Sequence, residues 1–367
     1  MTERTMRAAV YHGPRDVRIE RVPRPRARAG ELLVRVHANG ICGTDASEFV
    51  AGPQMYPVHA RHPLTEHEGP IVPGHEFAGR VEELGEGVEG FRPGELVVTG
   101  AALWCGTCRQ CRAGRTSICA QYATVGLHRD GGLAEFVRVP AHIAFRADAL
   151  ALRDDVAVLA QPMAIAVHAL RRGRPAPGEH VLVIGAGGIG AFLTFALAHG
   201  GARVAVADVR TERLAIARRL GAQATVFAGD ELVLRAALTE HGVVPTLAFE
   251  VTGTQSGLDA AVGATDAGGR VVSVGIAKGA LSYDARRLTT KELELIGTNA
   301  LIGKDDVPEA ARLLSVDQGA WRDVAPVAIP LERLVEDGLV PLAEGRAPNI
   351  KLLVDPWTTA TRATVMG

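Results

Sequence analysis

The sequence predicts an α/β protein of two domains, one rich in β-strands and one built on a doubly wound parallel sheet. Three observations carry that prediction. The first 140 residues read as short strands separated by Gly- and Pro-containing turns. The segment His180–Asp208 reads strand, glycine turn, helix, strand. From Asp208 to Gly297 short apolar runs then alternate with helical ones, the pattern of a parallel sheet wrapped by helices. At 367 residues the chain is long enough for two separate cores.

Taken in order, Arg7–Tyr11, Val17–Arg21 and Leu32–Ala38 have the partial alternation of a half-buried antiparallel sheet. Asn39–Asp45 reads as a turn carrying Cys42. Residues 50–74 form a Pro-containing loop; His59, His62 and His67 lie in it at irregular spacing among polar neighbours, which predicts solvated histidines rather than metal ligands. Gly74-His75-Glu76 leads into a strand at Arg80–Leu84, the segment from Phe91 to Val98 begins another, and Gly131–Val139 is again β. Ala157–Arg171 reads as a helix leading into the second domain.

In that domain Val181–Ile184 is short and β-branched, as a strand buried on both faces should be. Gly185-Ala186-Gly187-Gly188-Ile189-Gly190 fits G-x-G-x-x-G, and Ala191–His199 continues as a helix. Gly185 permits the tight turn, Gly187 admits a pyrophosphate to the backbone, and Gly190 lets helix and strand close up. Asp208 stands 18 residues beyond Gly190, at the end of the next strand, where a dinucleotide site places a carboxylate. Helices at Arg210–Leu220, Glu231–His241 and Ser256–Gly263 alternate with strands at Ala224–Val226, Leu247–Val251, Arg270–Val274 and Leu293–Gly297. Beyond residue 301 a helix, Val307–Leu314, and short segments end in Lys351–Val354, a tail expected to return to the first domain; the polar residues from Asp355 onward are expected to fray.

Composition narrows the function. A net charge of −1 argues against a nucleic-acid partner. The chain has no uncharged apolar run of membrane-spanning length, and its basic N-terminus lacks the apolar core of a signal peptide, so a cytoplasmic protein is expected. Of five cysteines, Cys105, Cys108, Cys111 and Cys119 form C-x2-C-x2-C-x7-C. That spacing is too tight for two relaxed disulfides and suits a closed zinc tetrathiolate, with Arg109, Arg112 and Arg115 moderating its charge. The remaining Cys42, with His75 and Glu76, offers the thiolate, imidazole and carboxylate that zinc takes in catalytic sites, and Thr44 stands close enough in sequence to accept a substrate proton. A lone Cys and a lone His would not by themselves establish a site.

Taken together, Gly40-Ile41-Cys42-Gly43-Thr44-Asp45, Gly74-His75-Glu76, the four-cysteine loop, Gln161-Pro162-Met163, the glycine turn and Lys351-Leu352-Leu353 resemble the zinc-containing medium-chain dehydrogenases over roughly residues 6–355. The resemblance is closest to the butanediol, sorbitol and threonine dehydrogenase branch, and the 50–74 loop resembles butanediol dehydrogenases in particular. It implies a GroES-like catalytic domain over residues 1–160 with a return at 301–367, and a Rossmann NAD-binding domain over 161–300, with the substrate held in the cleft between them. It also implies two zinc ions per chain, a homodimer or homotetramer, and oxidation of a secondary alcohol such as a vicinal diol, polyol or cyclitol.

Two positions depart from the branch. Gln161 stands where the family places a glutamate beside the zinc, and Ser47 where it places a relay histidine. An amide removes a negative charge and predicts a looser but more strongly polarising metal; serine can pass a proton but does not titrate near neutrality. The alternative reading is an NAD-binding protein of this fold with altered, redox-neutral or lost zinc chemistry. For the cofactor, Asp208 favours NAD over NADP, Arg213 matches a basic family position at the ribose, and Arg210, just past the acid, is the residue able to tolerate a 2′-phosphate. Thr252, Val274, Gly275 and Ile276 resemble the turns that line the nicotinamide, and Asp45 is expected to bond backbone groups in its turn.

Overall fold

The computed structural model describes residues 4–229 and 231–366. The chain divides into two units, Met1–Ala164 with Leu301–Gly367, and Ile165–Ala300. The division falls inside a helix.

The first unit opens with the hairpin β1 (Thr5–Gly13) and β2 (Asp16–Pro23), followed by β3 (Glu31–Gly40). The segment read as a turn is then a helix. α1 (Gly43–Ala51) starts directly after Cys42, because the Asp45 carboxylate accepts the Cys42 backbone N–H at 2.9 Å and satisfies a donor at the helix entry. Thr44 and Ser47 therefore sit one turn apart on a helix rather than in a loop. Of the expected 50–74 loop, Val50 and Ala51 are the last residues of α1, and 52–74 have no helix or strand of their own. It leads into β4 (Glu76–Leu84), β5 (Leu96–Thr99) and the short β6 (Ala102–Leu103). The cysteine loop holds one helical turn, α2 (Arg109–Arg112), and closes with β7 (Ala123–Thr124), antiparallel to β6. β8 (Phe136–Pro140) is shorter than the run Gly131–Val139, since the paired glycines at its start form a turn. β9 (Ala144–Arg146) and α3 (Asp154–Ala157) follow.

α4 (Ala160–Gly173) enters the second unit. There β10 (His180–Ile184), α5 (Gly188–His199), β11 (Arg203–Asp208), α6 (Thr211–Arg219), β12 (Ala224–Phe227), α7 (Glu231–Glu240), β13 (Leu247–Glu250), α8 (Gln255–Ala264), β14 (Arg270–Ser273), α9 (Ala285–Thr290) and β15 (Glu294–Gly297) alternate. The six strands are parallel in the order β12-β11-β10-β13-β14-β15. Counted within the unit this is 3-2-1-4-5-6, the Rossmann arrangement, with its switch point between β10 and β13. Leu182, Ala205, Ala248 and Val271 pack its core.

α10 (Gly303–Val316), β16 (Val327–Pro330), α11 (Val340–Ala343), β17 (Leu353–Asp355) and β18 (Arg362–Ala363) return the chain to the first unit. β17 pairs antiparallel with β3, Leu353 opposite Gly40, in a sheet ordered β18-β16-β17-β3-β4-β5-β9, with β8 on β3. The tail beyond Asp355 is held rather than frayed. Trp357 donates to the Val36 carbonyl at 2.6 Å, Arg362 bridges Asp155 and Asp355, the Val365 N–H meets Asp155, and Met366 is buried. Among the described residues no helix is long and apolar enough to cross a membrane.

Candidate functional site

In the first unit Cys42, His75 and Glu76 come together, with one ligand atom from each lying within 4.8 Å of the others. Two strand ends and a helix entry deliver them. Cys42 caps α1 just past the end of β3, and Glu76 opens β4 directly opposite Gly40. Gly40 has to be glycine there, because a Cβ would fall 2.6 Å from Glu76 Oε2. Gly74 turns with φ +100°, and a Cβ on it would strike Asn39 and the Leu133 backbone.

The cluster is buried and rich in ionisable groups. His75 Nδ1 lies 3.6 Å from Asp45 Oδ1, and both atoms are buried without a hydrogen-bond partner. Burial alone would pull the His75 pKa down, but the neighbouring Asp45 and Cys42 outweigh it and push it up to about 9. Burial likewise drives the Asp45 carboxyl upward. Lys351, reaching in beside β17, donates to both oxygens of Glu76, 2.7 Å to Oε2, and is itself buried. Burial opposes its charge, and Glu76 and Cys42 raise its pKa in spite of that. With a thiol, an imidazole and a carboxylate held within 4.8 Å of one another, the donor set itself fits a divalent cation of zinc's type. The Cys42 sulfur is 3.8 Å from Thr44 Oγ1. Ser47 is half-buried one turn on, and no hydrogen bond joins it to Thr44. Gln161 is buried near the start of α4, and its amide makes no hydrogen bond with the described residues, Cys42, His75 and Glu76 included.

The second cluster is the four-cysteine loop, none of whose thiols is in a disulfide. The sulfurs of Cys105, Cys108, Cys111 and Cys119 lie within 4.8 Å of one another, with Cys105–Cys119 at 3.5 Å and Cys105–Cys111 and Cys108–Cys119 at 4.0 Å. A tetrahedron with metal–sulfur bonds of about 2.3 Å has edges of about 3.8 Å, so the set is already at zinc dimensions. Backbone N–H groups of Cys105, Cys108, Cys111 and Gln121 point at the sulfurs from 3.3–3.5 Å, as stabilised thiolates require. The Thr107 hydroxyl and backbone donors lower the Cys105 thiol to about 6.

In the second unit the glycine turn lies at the carboxyl end of β10. Gly185 has φ +99°, and a Cβ on Gly190 would fall 1.8 Å from the Gly185 carbonyl oxygen, so helix and strand close up only without a side chain. Gly187 caps α5, which therefore begins at Gly188 and takes Ile189 and Gly190 into its first turn. Asp208 is buried and accepts N–H groups from Ala186 at 2.6 Å and Arg210 at 2.8 Å. The Arg210 side chain is paired with Glu212. The Arg213 guanidinium reaches over the turn, 3.5 Å from where a Gly187 Cβ would stand, and makes no hydrogen bond or ion pair with the described residues. At the neighbouring strand ends the Glu250 carboxylate accepts from the Thr252 N–H at 2.7 Å and from Gly253, while Val274 and Gly275 donate to its carbonyl. Ile276 is 86% exposed.

Residue reading missed Lys351 as the partner of Glu76, Glu250 as the organiser of the 252–253 turn, and the second oxygen of Asp45. Of the loop histidines, His59 is exposed as expected, but His62 is more engaged. His62 Nδ1 accepts the Leu64 and Thr65 N–H groups and its ring meets His128 edge-on at 4.7 Å.

Residues 28–149 match the alcohol dehydrogenase GroES-like domain, and residues 188–316 the zinc-binding dehydrogenase family. The (R,R)-butanediol dehydrogenase of Bacillus subtilis (strain 168) is 30% identical over 358 residues, covering 96% of this chain and 100% of that protein. The crystal structure of the 2R,3R-butanediol dehydrogenase from Bacillus subtilis superposes with a TM-score of 0.87 over 96% of this chain and 99% of that one. An alcohol dehydrogenase from E. coli CFT073 complexed with NADH (TM-score 0.84) and a zinc-binding dehydrogenase from Sinorhizobium meliloti 1021 bound to NADP (TM-score 0.84) are each 28% identical, cover 96% of this chain, and are covered over 99% and 100% of their own. With a GroES-like fold holding a buried ligand cluster in one unit, a Rossmann sheet in the other and a butanediol dehydrogenase matched from end to end, the chain belongs to the zinc-dependent medium-chain alcohol dehydrogenases and is an oxidoreductase of that family.

Proposed function

We propose that this protein oxidises a secondary alcohol, a vicinal diol, polyol or cyclitol, with transfer of a hydride to NAD. The observation that carries the reading is the buried cluster of Cys42, His75 and Glu76, a thiol, an imidazole and a carboxylate whose ligand atoms lie within 4.8 Å of one another as a divalent cation requires. When bound there, zinc supplies Lewis-acid chemistry that lowers the pKa of an alcohol oxygen. Asp45, 3.6 Å from His75 Nδ1, orients the imidazole and leaves its other nitrogen on the Cys42 side. Lys351 holds Glu76 in place and shares its charge. Thr44, whose hydroxyl stands beside Cys42, relays the substrate proton, taking it as it passes its own by way of a bridging water to Ser47, one turn along α1, and so out to solvent. Gln161, with its amide uncommitted, leaves the site one negative charge short of a family glutamate.

The four cysteines hold a second, structural zinc, making two per chain. For the cofactor, NAD is favoured because Asp208 puts a buried negative charge at the ribose position while Glu212 occupies Arg210, the arginine nearest to it. Arg213, unpaired over the glycine turn, is left for the dinucleotide. The family fold and the absence of a long apolar helix among the described residues support a cytoplasmic homo-oligomer acting on a small molecule, with no nucleic-acid partner.

The test is a panel of diols, polyols, cyclitols and amino alcohols offered to zinc-replete protein with NAD and with NADP, followed by absorbance of the reduced cofactor. Turnover of a vicinal diol or polyol with NAD at higher kcat/KM than with NADP is expected. Turnover confined to primary alcohols would overturn the substrate class, and preference for NADP would overturn the cofactor.

A further inference from the structure

Away from the metal-ligand cluster, the first unit encloses a cavity of about 640 Å3 between the β1–β2 hairpin, the 61–70 segment and β8. Four guanidinium groups line it, those of Arg28, Arg61, Arg129 and Arg138, against three carboxylates, Glu31, Glu66 and Asp130. Their pairing is uneven. Arg61 and Glu66 neutralise each other at the exposed rim, 3.0 Å apart. Asp130 is committed to the Val72 backbone N–H at 3.0 Å. Glu31 alone must serve two arginines: Arg129 Nη2 donates to Oε1 at 3.0 Å, and Arg138 Nε lies 2.9 Å from Oε2. The second contact is an ion pair without hydrogen-bond alignment, since both of its atoms are buried and neither has a hydrogen-bond partner. The Arg28 guanidinium, beside them, makes no hydrogen bond or ion pair with any described residue. Its charge and that of Arg129 both bear on Arg138, adding to burial in pulling the Arg138 pKa down. Three cations therefore face two carboxylates, Glu31 and Asp130, only one of which pairs with them, and a misaligned donor and an unpaired guanidinium face the same space.

We propose that this cavity binds a small organic anion, its phosphate or carboxylate group seated among Arg28, Arg129 and Arg138 and its apolar body against Val10, Val22 and Phe136. The guanidinium fork matches either oxyanion geometrically, and an entering anion relieves the like-charge crowding that the fold leaves uncompensated. The site owes nothing to the alcohol chemistry. It shares no residue with the metal-ligand cluster or the glycine turn.

Isothermal titration of the zinc-replete, full-length protein tests it, with saturating reduced cofactor present so that the dinucleotide turn is filled. Inorganic phosphate is the probe in one arm and succinate in the other, which separates the two sources of the shared oxyanion chemistry. Saturable binding of one anion per chain is expected in at least one arm. Arg28→Ala and Arg138→Gln should each weaken it about tenfold, the loss of one charge-assisted contact, and Arg213→Ala should leave it unchanged. Because Arg28 is exposed and unpaired, its variant remains informative even where Arg138→Gln fails to fold. Absence of saturable binding for both probes, wild-type affinity in Arg28→Ala, or loss of binding in Arg213→Ala would each overturn the proposal.

Discussion

Lys351→Met tests whether the ligand cluster is held in check by a buried charge pair. Lys351 and Glu76 have side chains only 5% and 2% exposed, and the ammonium donates to both carboxylate oxygens. Methionine keeps most of the stem's volume and removes the charge, leaving Glu76 buried beside Asp45 and the Cys42 thiol without its ion-pair partner. Breaking one side of such a pair costs about 3–5 kcal/mol, because the surviving charge keeps its desolvation penalty. In a unit of about 230 residues, that lowers the melting temperature by roughly 6–20 °C. The measurement is calorimetry of chelator-treated protein, read on the transition that includes the first unit, since a two-unit chain need not unfold in one step. Glu76→Gln in the same chain should recover most of the loss, because neutralising both partners removes the buried charge altogether. Added zinc should narrow the gap between wild type and Lys351→Met, as a divalent cation can neutralise Glu76 in place of the lysine. A loss under about 1 kcal/mol, or a double variant as unstable as the single one, would show that Glu76 is solvated after all and refute the charge argument.

Four further outcomes follow from the same geometry. Cys108→Ser should lower zinc content to one per chain and reduce stability while leaving the substrate KM of the surviving protein nearly unchanged; a stable variant retaining two zincs would remove the four-cysteine site from the account. Thr44→Ala should lower kcat by about 10²-fold or more and Thr44→Ser only mildly, whereas equal losses in steady-state kinetics would make Thr44 a packing residue. Asp208→Ala should raise the KM for NAD and improve relative use of NADP, with some loss of stability because the Ala186 and Arg210 N–H groups lose their acceptor; an unchanged NAD-to-NADP ratio would count against the selectivity argument. His128 Nδ1 accepts the Thr124 N–H at 3.0 Å, and burial first and His62 second depress its pKa to about 4, below the ordinary 6.5 of an unfolded chain. The neutral ring is therefore the folded form, its stabilisation is complete above pH 6.5, and about 3 kcal/mol is lost as the pH falls from there through 4; His128→Asn, which keeps an acceptor but does not titrate, should flatten that part of the urea-unfolding profile, and parallel profiles would refute the assignment.

The parts legible in the sequence were those written in local spacing. The parallel sheet of the second unit could be read because each strand is a short run buried on both faces, closed by a turn and followed at once by its helix, so the crossover unit repeats within about thirty residues. The four cysteines could be read for the same reason, their ligand spacing being a property of one loop. The entry of α1 was misread although its signal was present, with Asp45 three residues beyond Cys42 as in a capping box. Cysteine is a weak capping residue, and the glycines on both sides of Ile41 and Cys42 argued for a turn.

What stayed illegible lies in pairings across long sequence separations. Lys351 reaches Glu76 only because β17 pairs with β3 in one register, Leu353 opposite Gly40, and β3 in turn places Gly40 opposite Glu76. A slip of one residue along either ladder would point the lysine to the other face of the sheet, and nothing within a window around residue 351 encodes that register. The tail beyond Asp355 was misjudged on the same ground. Its polar residues look solvated by composition, yet Arg362 finds Asp155, which is 2% exposed, and Trp357 lies under Arg35 with its ring 3.9 Å from the guanidinium carbon. The charge state of the ligand cluster is therefore set from outside the cluster's own motifs. Cys42, His75 and Glu76 supply the donors, but how firmly they hold a cation depends on Lys351 and on the strand pairing that delivers it. Substitutions that weaken β17, far in sequence from Cys42, His75 and Glu76, should accordingly loosen the metal before they touch the substrate.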